Sequence, residues 1–96
     1  MIRALCDAIA IRHLLAYSTK AGCEHIVEPY AYGVTQAGDH ALLCWRCGAS
    51  ASDPGGWELV RTDEMRGLRI VDDHFDSPRL GYARNDKRLS SIHSQL

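Results

Sequence analysis

The chain has 96 residues, of which 46% are hydrophobic and 24% are charged, and its formal net charge is −1. This composition is typical of one small folded domain, and it excludes wholesale disorder and a global positive field that would gather nucleic acid non-specifically. No stretch approaches the roughly 20 apolar residues that span a bilayer, and no signal peptide is recognisable, so we expect a cytoplasmic protein without a membrane partner.

The first third of the chain predicts one helix followed by two strands. Apolar residues recur with helical spacing over residues 2–13, and neither Pro nor Gly interrupts them. Residues 14–18 predict a strand, which a turn containing Gly22 joins to a second strand at 24–33. Pro29 has no N–H for a ladder, so this second strand lies at a sheet edge or is bulged there.

The middle of the chain predicts three more strands with short connections between them. The strands are 40–47, 57–61 and 68–72, and the Gly-, Pro-, Asp- and Ser-rich connections are 35–39 and 48–56. Residues 62–65 predict a turn or a single helical turn that is capped by Thr62 or Asp63.

The strand at 40–47 has two faces of different chemistry. One face holds Ala41, Leu43, Trp45 and Cys47, and the other holds His40, Leu42, Cys44 and Arg46. We expect Trp45 to lie in the core and Arg46 to lie on an open face that is available to a ligand.

These elements predict a mainly β fold: an N-terminal helix with a small five-stranded antiparallel barrel of the Sm-like or SH3-like type. Residues 1–77 form this domain. Residues 78–96 form a basic tail that wraps the domain through Leu80 and Tyr82, then frays or forms a short helix over 87–95.

Several stretches together resemble the WYL domain of prokaryotic regulators, in particular its short stand-alone members. They are AIAIRHLLAYS (8–18), IVEPYAYGV (26–34), WELVRTDEMRGLRIVDDHF (57–75) and the tail. The position of the family's naming tripeptide holds His40-Ala41-Leu42, and His25 stands where the family usually has Arg. The resemblance implies an Sm-like barrel that binds nucleotide-like ligands or nucleic acid in transcription regulation or defence.

Metal binding and catalysis are both poorly supported by the sequence. Cys44-x-x-Cys47 lies in a predicted strand, where positions i and i+3 point to opposite faces and cannot chelate one zinc ion unless the strand is broken, so a small zinc protein is only a third alternative. We interpret the four cysteines as reduced thiols rather than a secreted disulfide framework. The chain also lacks a signature for a nucleophile with its base, so we expect no enzyme, no metal and no cofactor.

The residues expected to bind a ligand combine donors for an anion with rings for stacking. They are Tyr17, His25, His40, Arg46 and Arg61, and the basic residues Arg79, Arg84, Lys87 and Arg88 extend them. An alternative for Arg61 is an ion pair with Asp63 or Glu64. The expected partner is a nucleotide-like or single-stranded nucleic-acid ligand, and the alternative is a protein-interaction module that forms a homodimer.

Overall fold

The structure is a computed structural model that describes residues 2–50, 52–76, 78–82 and 84–96. Its elements in chain order are α1 (Ile2–Ile11), β1 (His13–Ser18), β2 (Glu24–Val34), β3 (His40–Ser50), β4 (Asp53–Arg61), a 3₁₀ turn (Thr62–Glu64), β5 (Arg66–His74) and β6 (Ser91–Gln95). The predicted mainly β fold with one N-terminal helix is therefore confirmed. Within these residues, no helix has the length and apolar character needed to cross a bilayer.

All the strands belong to one antiparallel sheet with the order β4-β3-β2-β1-β5. β6 pairs with β2 outside this path. β1 occupies one edge of β2 over residues 24–27, and β6 pairs with β2 over residues 31–34. Among the described residues, β4 and β5 end the path without pairing with each other, so the sheet is not a closed barrel.

One face of the sheet, the helix face, packs against α1. Its buried members are Leu5, Ala8, Ile9, Leu15, Tyr17, Val27, Tyr32, Leu42, Cys44 and Met65. α1 contributes three of these at helical spacing, and the strands contribute alternate residues, so both periodicities meet in one core.

The opposite face, the tail face, is covered by the C-terminal segment. Its members are Ala31, Ala41, Leu43 and Leu89, with Trp57, Leu59, Tyr82 and Ile92 packed against them. The predicted alternation along β3 is correct, since Leu42 lies on the helix face while Leu43 lies on the tail face. Over residues 41–44 both faces are buried, so the open face predicted for this strand is not observed there.

The β3–β4 hairpin is longer than predicted. β3 runs to Ser50 and β4 begins at Asp53, so most of the expected 48–56 connection is strand. Gly55 explains the difference: a Cβ there would lie 1.9 Å from the Arg46 carbonyl oxygen, and its φ is +85°. Glycine here permits a close approach of two strands and does not mark a loop. The 3₁₀ turn after β4 was predicted, but its N-cap is Arg61 without a side-chain cap hydrogen bond.

The C-terminal segment differs most from the prediction. Residues 91–95 form strand β6 where a short helix was an option, because β2 offers a free hydrogen-bonding edge beyond its pairing with β1. Tyr82 packs on the tail face as expected, whereas the Leu80 side chain is 97% exposed. Pro29 lies next to a bulge within β2, and β2 is a central strand. The bulged alternative is thus correct and the edge alternative is wrong.

We predict that Gly33→Ala destabilises the protein by about 1–3 kcal/mol, because an added methyl group would overpack the β2–β6 contact. A Cβ on Gly33 would lie 2.0 Å from the Ser91 carbonyl oxygen. Chemical denaturation followed by circular dichroism measures the change in unfolding free energy. Gly56→Ala is the matched control, since nothing lies within 4 Å of its Cβ. Equal stability of the two variants would contradict the close β2–β6 approach.

Candidate functional site

Three of the five predicted ligand-binding residues meet at one end of the sheet. Tyr17 of β1 and His25 of β2 are partners in the ladder, with ring centroids 5.7 Å apart. Arg46 of β3 is the ladder partner of Val27, two residues further along β2. The antiparallel pairing of β1, β2 and β3 therefore brings together residues that lie far apart in the sequence.

The three side chains differ in their access to solvent. Tyr17 is buried on the helix face, and burial, followed by the nearby Cys44 thiol, raises the pKa of its hydroxyl. His25 and Arg46 are both half-buried. Tyr17 therefore packs behind the site, while His25 and Arg46 supply the polar groups that a ligand could reach.

His25 and Arg46 line a cavity of about 440 Å³, which we call the His25–Arg46 pocket. Its other lining residues include Leu14, Glu24, Ile26 and Cys47. The pocket lies where two strands separate. Pairing between β2 and β3 begins at Val27 and Arg46, whereas β3 continues beyond this point as the ladder partner of β4, with which it pairs along its length.

Carboxylates accompany the basic groups of this pocket. The Nε of Arg46 donates a hydrogen bond to Oε1 of Glu58 over 3.0 Å. Glu24, which lines the pocket, forms an ion pair with Arg69. The pocket therefore offers directed donors on partly apolar walls, rather than a large positive potential.

His40 and Arg61 lie elsewhere, toward the beginning of β3. The Nδ1 of His40 lies 2.8 Å from the Tyr32 hydroxyl, and its ring stacks on that of His93. The Nη2 of Arg61 donates to Oδ2 of Asp63 over 2.5 Å, and this contact raises the pKa of the guanidinium. The Asp63 alternative stated for Arg61 is thus the one the structure contains.

The predicted basic track in the tail is interrupted by ion pairs. Arg88 forms two hydrogen bonds to the Asp86 carboxylate, which lower the pKa of that carboxyl group. Arg79 forms two hydrogen bonds to another carboxylate. Arg84 and Lys87 are exposed. The four side chains therefore do not act as four uncompensated charges.

A polar cluster on the tail face was not predicted from the sequence. Glu28 is 6% exposed and receives both hydrogen bonds from Arg79, whose Cζ lies 4.9 Å from the ring centroid of Trp45. Trp45 was expected in the core but is half-buried beside a groove. A signal was present: Glu28 interrupts an otherwise apolar run, and a buried carboxylate needs a cation.

The two cysteines of β3 have different surroundings. Cys44 is buried on the helix face, while Cys47 lines the His25–Arg46 pocket. All four cysteines are free, and no group of three or more candidate metal ligands occurs among the residues described. Burial raises the thiol pKa of Cys44 and of Cys47.

The chain matches no family model, no curated protein and no solved structure.

We predict a coupling free energy of about 1–2 kcal/mol between Glu28→Gln and Arg79→Ala in a double-mutant cycle. The carboxylate is buried, so either substitution alone leaves an unpaired or weakened polar group. The half-exposed guanidinium lets solvent screen part of the effect. Unfolding free energies of the two single variants, the double variant and the parent measure the coupling.

The matched control is the same cycle on Arg61 and Asp63, an ion pair whose side chains are both exposed. We expect no coupling there beyond experimental error. Equal coupling in the two cycles would show that burial of Glu28 contributes nothing.

We also predict that alkylation of the native protein modifies the exposed Cys23 well before Cys44. Burial keeps the Cys44 thiol protonated and out of reach of the reagent. Peptide mass spectrometry after timed exposure to iodoacetamide measures the order, and denatured protein is the control in which both residues react. Comparable native rates would contradict the packing of β3 against α1.

Proposed function

We propose that this protein is a non-catalytic regulatory module of the WYL type that binds a nucleotide-like anion, or a short single strand of nucleic acid, in the His25–Arg46 pocket. The observation that carries the proposal is the convergence of Tyr17, His25 and Arg46 at one end of the sheet.

The pocket has the chemistry that such a ligand needs. Its volume of about 440 Å³ is in the range of small-molecule sites, which combine apolar walls with a few polar groups. Leu14 and Ile26 supply apolar surface for a flat ring. Arg46 supplies a planar fork of donors, and His25 a further nitrogen, for phosphate oxygens.

The charge distribution favours a small ligand over a long polyanion. The net charge is −1, and Arg46, Arg61, Arg79 and Arg88 each have a carboxylate partner. Binding to a long nucleic acid depends on many uncompensated cations, while one phosphate needs only local donors. We therefore place a mononucleotide or a few nucleotides ahead of a duplex or a long strand.

The proposal includes a partly opened barrel of the Sm-like type. The strand order β4-β3-β2-β1-β5 supports it, since the short Thr62–Glu64 turn carries the chain from one end of the path to the other. The resemblance to WYL domains implies a role beside transcription regulators or defence proteins, and a sensor module fits that role.

We predict saturable binding of nucleoside phosphates or short single-stranded oligonucleotides, which Arg46→Ala weakens about tenfold or more because a charge-assisted hydrogen bond is lost. Isothermal titration calorimetry at low and physiological salt measures the affinities. A mononucleotide should show a shallow salt dependence, and an oligonucleotide that contacts several cations a steep one.

Arg61→Ala is the matched control, since Arg61 is also ion-paired but lies outside the pocket. The Arg61→Ala variant should bind the nucleotide with the same affinity as the parent protein. Circular dichroism should show that both the Arg46→Ala and the Arg61→Ala variants are folded. Absence of binding by the folded parent would refute the proposal. A salt-insensitive dimer in that case would support the protein-interaction alternative.

A further inference from the structure

Glu28 is the only charged residue in the buried class among the described residues. It lies on β2 between Val27 and Pro29, and its side chain is 8% exposed. An ionised carboxylate in such surroundings is stable only when a cation and hydrogen-bond donors replace the lost water. The buried Glu28 carboxylate therefore needs a cation bound to it.

The guanidinium of Arg79 meets this requirement with a defined geometry. Its Nε donates to Oε1 of Glu28 and its Nη2 to Oε2, each over 3.0 Å. Its Cζ lies 4.9 Å from the ring centroid of Trp45, within range of a cation–π contact. Two parallel hydrogen bonds and an aromatic ring select a flat, forked cation over a compact ammonium group.

Tyr30 completes the site. Its hydroxyl donates to Oε1 of Glu28 over 2.9 Å and accepts the backbone N–H of Arg79 over 3.0 Å. The Tyr30 ring contacts the rings of Trp57, Phe75 and Tyr82, with centroid distances of 4.8, 5.2 and 4.9 Å. These contacts hold the hydroxyl in place, and two of the three rings, Trp57 and Phe75, precede the segment that carries Arg79, so the site is preorganised in part without that segment.

The carboxylate, the hydroxyl and the indole belong to β2 and β3, while the cation belongs to the surface segment after β5. Arg79 has a 46% exposed side chain and Leu80 is 97% exposed. Together with Glu28 and Trp45 they line an open groove of about 520 Å³. The arginine thus reaches its site from the solvent side, as the side chain of a separate peptide could.

We propose that Glu28, Tyr30 and Trp45 form a guanidinium site, which Arg79 fills within the chain and which an arginine side chain of a partner polypeptide fills in its place. Exchange of one arginine for another keeps the Glu28 carboxylate paired, so it avoids the penalty of an unpaired buried charge. The site is separate from the His25–Arg46 pocket, and its test does not depend on nucleotide binding.

Arg79 competes with a partner's arginine for the site, and it has the advantage of belonging to the same chain. A tethered group acts at an effective concentration that is about millimolar for short flexible connections. A partner must therefore make further contacts along the groove, where Trp45 and the exposed Leu80 offer apolar surface. Removing the Arg79 side chain removes the competitor and leaves the rest of the site in place.

The test is chemical rescue of Arg79→Ala with N-acetyl-arginine amide. We expect the variant to have a lowered Tm, and the ligand to raise it saturably at concentrations too low to change the parent's Tm. N-acetyl-lysine amide should bind about tenfold more weakly, because an ammonium group cannot make the two parallel hydrogen bonds. The Glu28→Gln/Arg79→Ala double variant should show no rescue.

The matched control is Arg88→Ala. Arg88 also makes two hydrogen bonds to a carboxylate and is 48% exposed, close to the value for Arg79. Within the described part of the chain Arg88 has no cation–π contact, and the Asp86 side chain is more exposed than that of Glu28. We expect no saturable rescue of this variant by the arginine amide. Equal rescue of both variants would reduce the effect to general salt stabilisation and overturn the proposal.

Arg79→Lys covers the case in which Arg79→Ala does not fold. Lysine keeps a positive charge beside Glu28 but lacks the planar fork, so this variant should bind the arginine amide more tightly than the parent does. Tryptophan fluorescence should report the binding, since Trp45 adjoins the site. Absence of saturable binding by folded Arg79→Lys would refute the guanidinium site, as would equal binding of the arginine and lysine amides.

Discussion

Burial of β2 on both faces is the constraint on which the other elements depend. Residues 27–33 of this strand are all buried. α1 covers one face and the C-terminal segment covers the other, while β3, β1 and β6 take up its hydrogen bonds. The bulge after Pro29 lets Tyr30 and Ala31 both contribute to the tail face before Tyr32 returns to the helix face. A strand buried in this way needs almost the whole chain around it.

Local sequence patterns predicted most of the helices and strands, but they did not predict which segments cover the two faces of the sheet. The helix, the Gly22 turn and the alternation of β3 follow from short-range periodicity and turn chemistry. The extension of β4 through Gly55 to Asp53 and the strand at 91–95 depend on a neighbouring backbone, which no local pattern contains. Such elements are selected by tertiary hydrogen bonding, which overrides local propensity.

In the candidate sites, too, some contacts follow from local sequence patterns and others depend on tertiary structure. Tyr17 and His25 could be grouped because consecutive antiparallel strands place them opposite each other. Arg79 could not be assigned to Glu28 from the sequence, since 51 positions separate them and the path of the tail is unknown until β6 is placed. Trp45 was assigned to the core because it shares one face of β3 with apolar residues, but its neighbour Arg79 makes a half-buried position favourable.

The pairing of β2 with β6 also bears on how the chain acquires its structure. Val34 and Ser91 are ladder partners across most of the sequence, so their contact forms only after a long loop has closed. Until then, residues 31–34 present an unpaired strand edge next to apolar surface that Leu89 and Ile92 later cover. Folding intermediates that lack β6 are therefore the species most exposed to intermolecular strand pairing, and protein concentration during refolding should govern the yield.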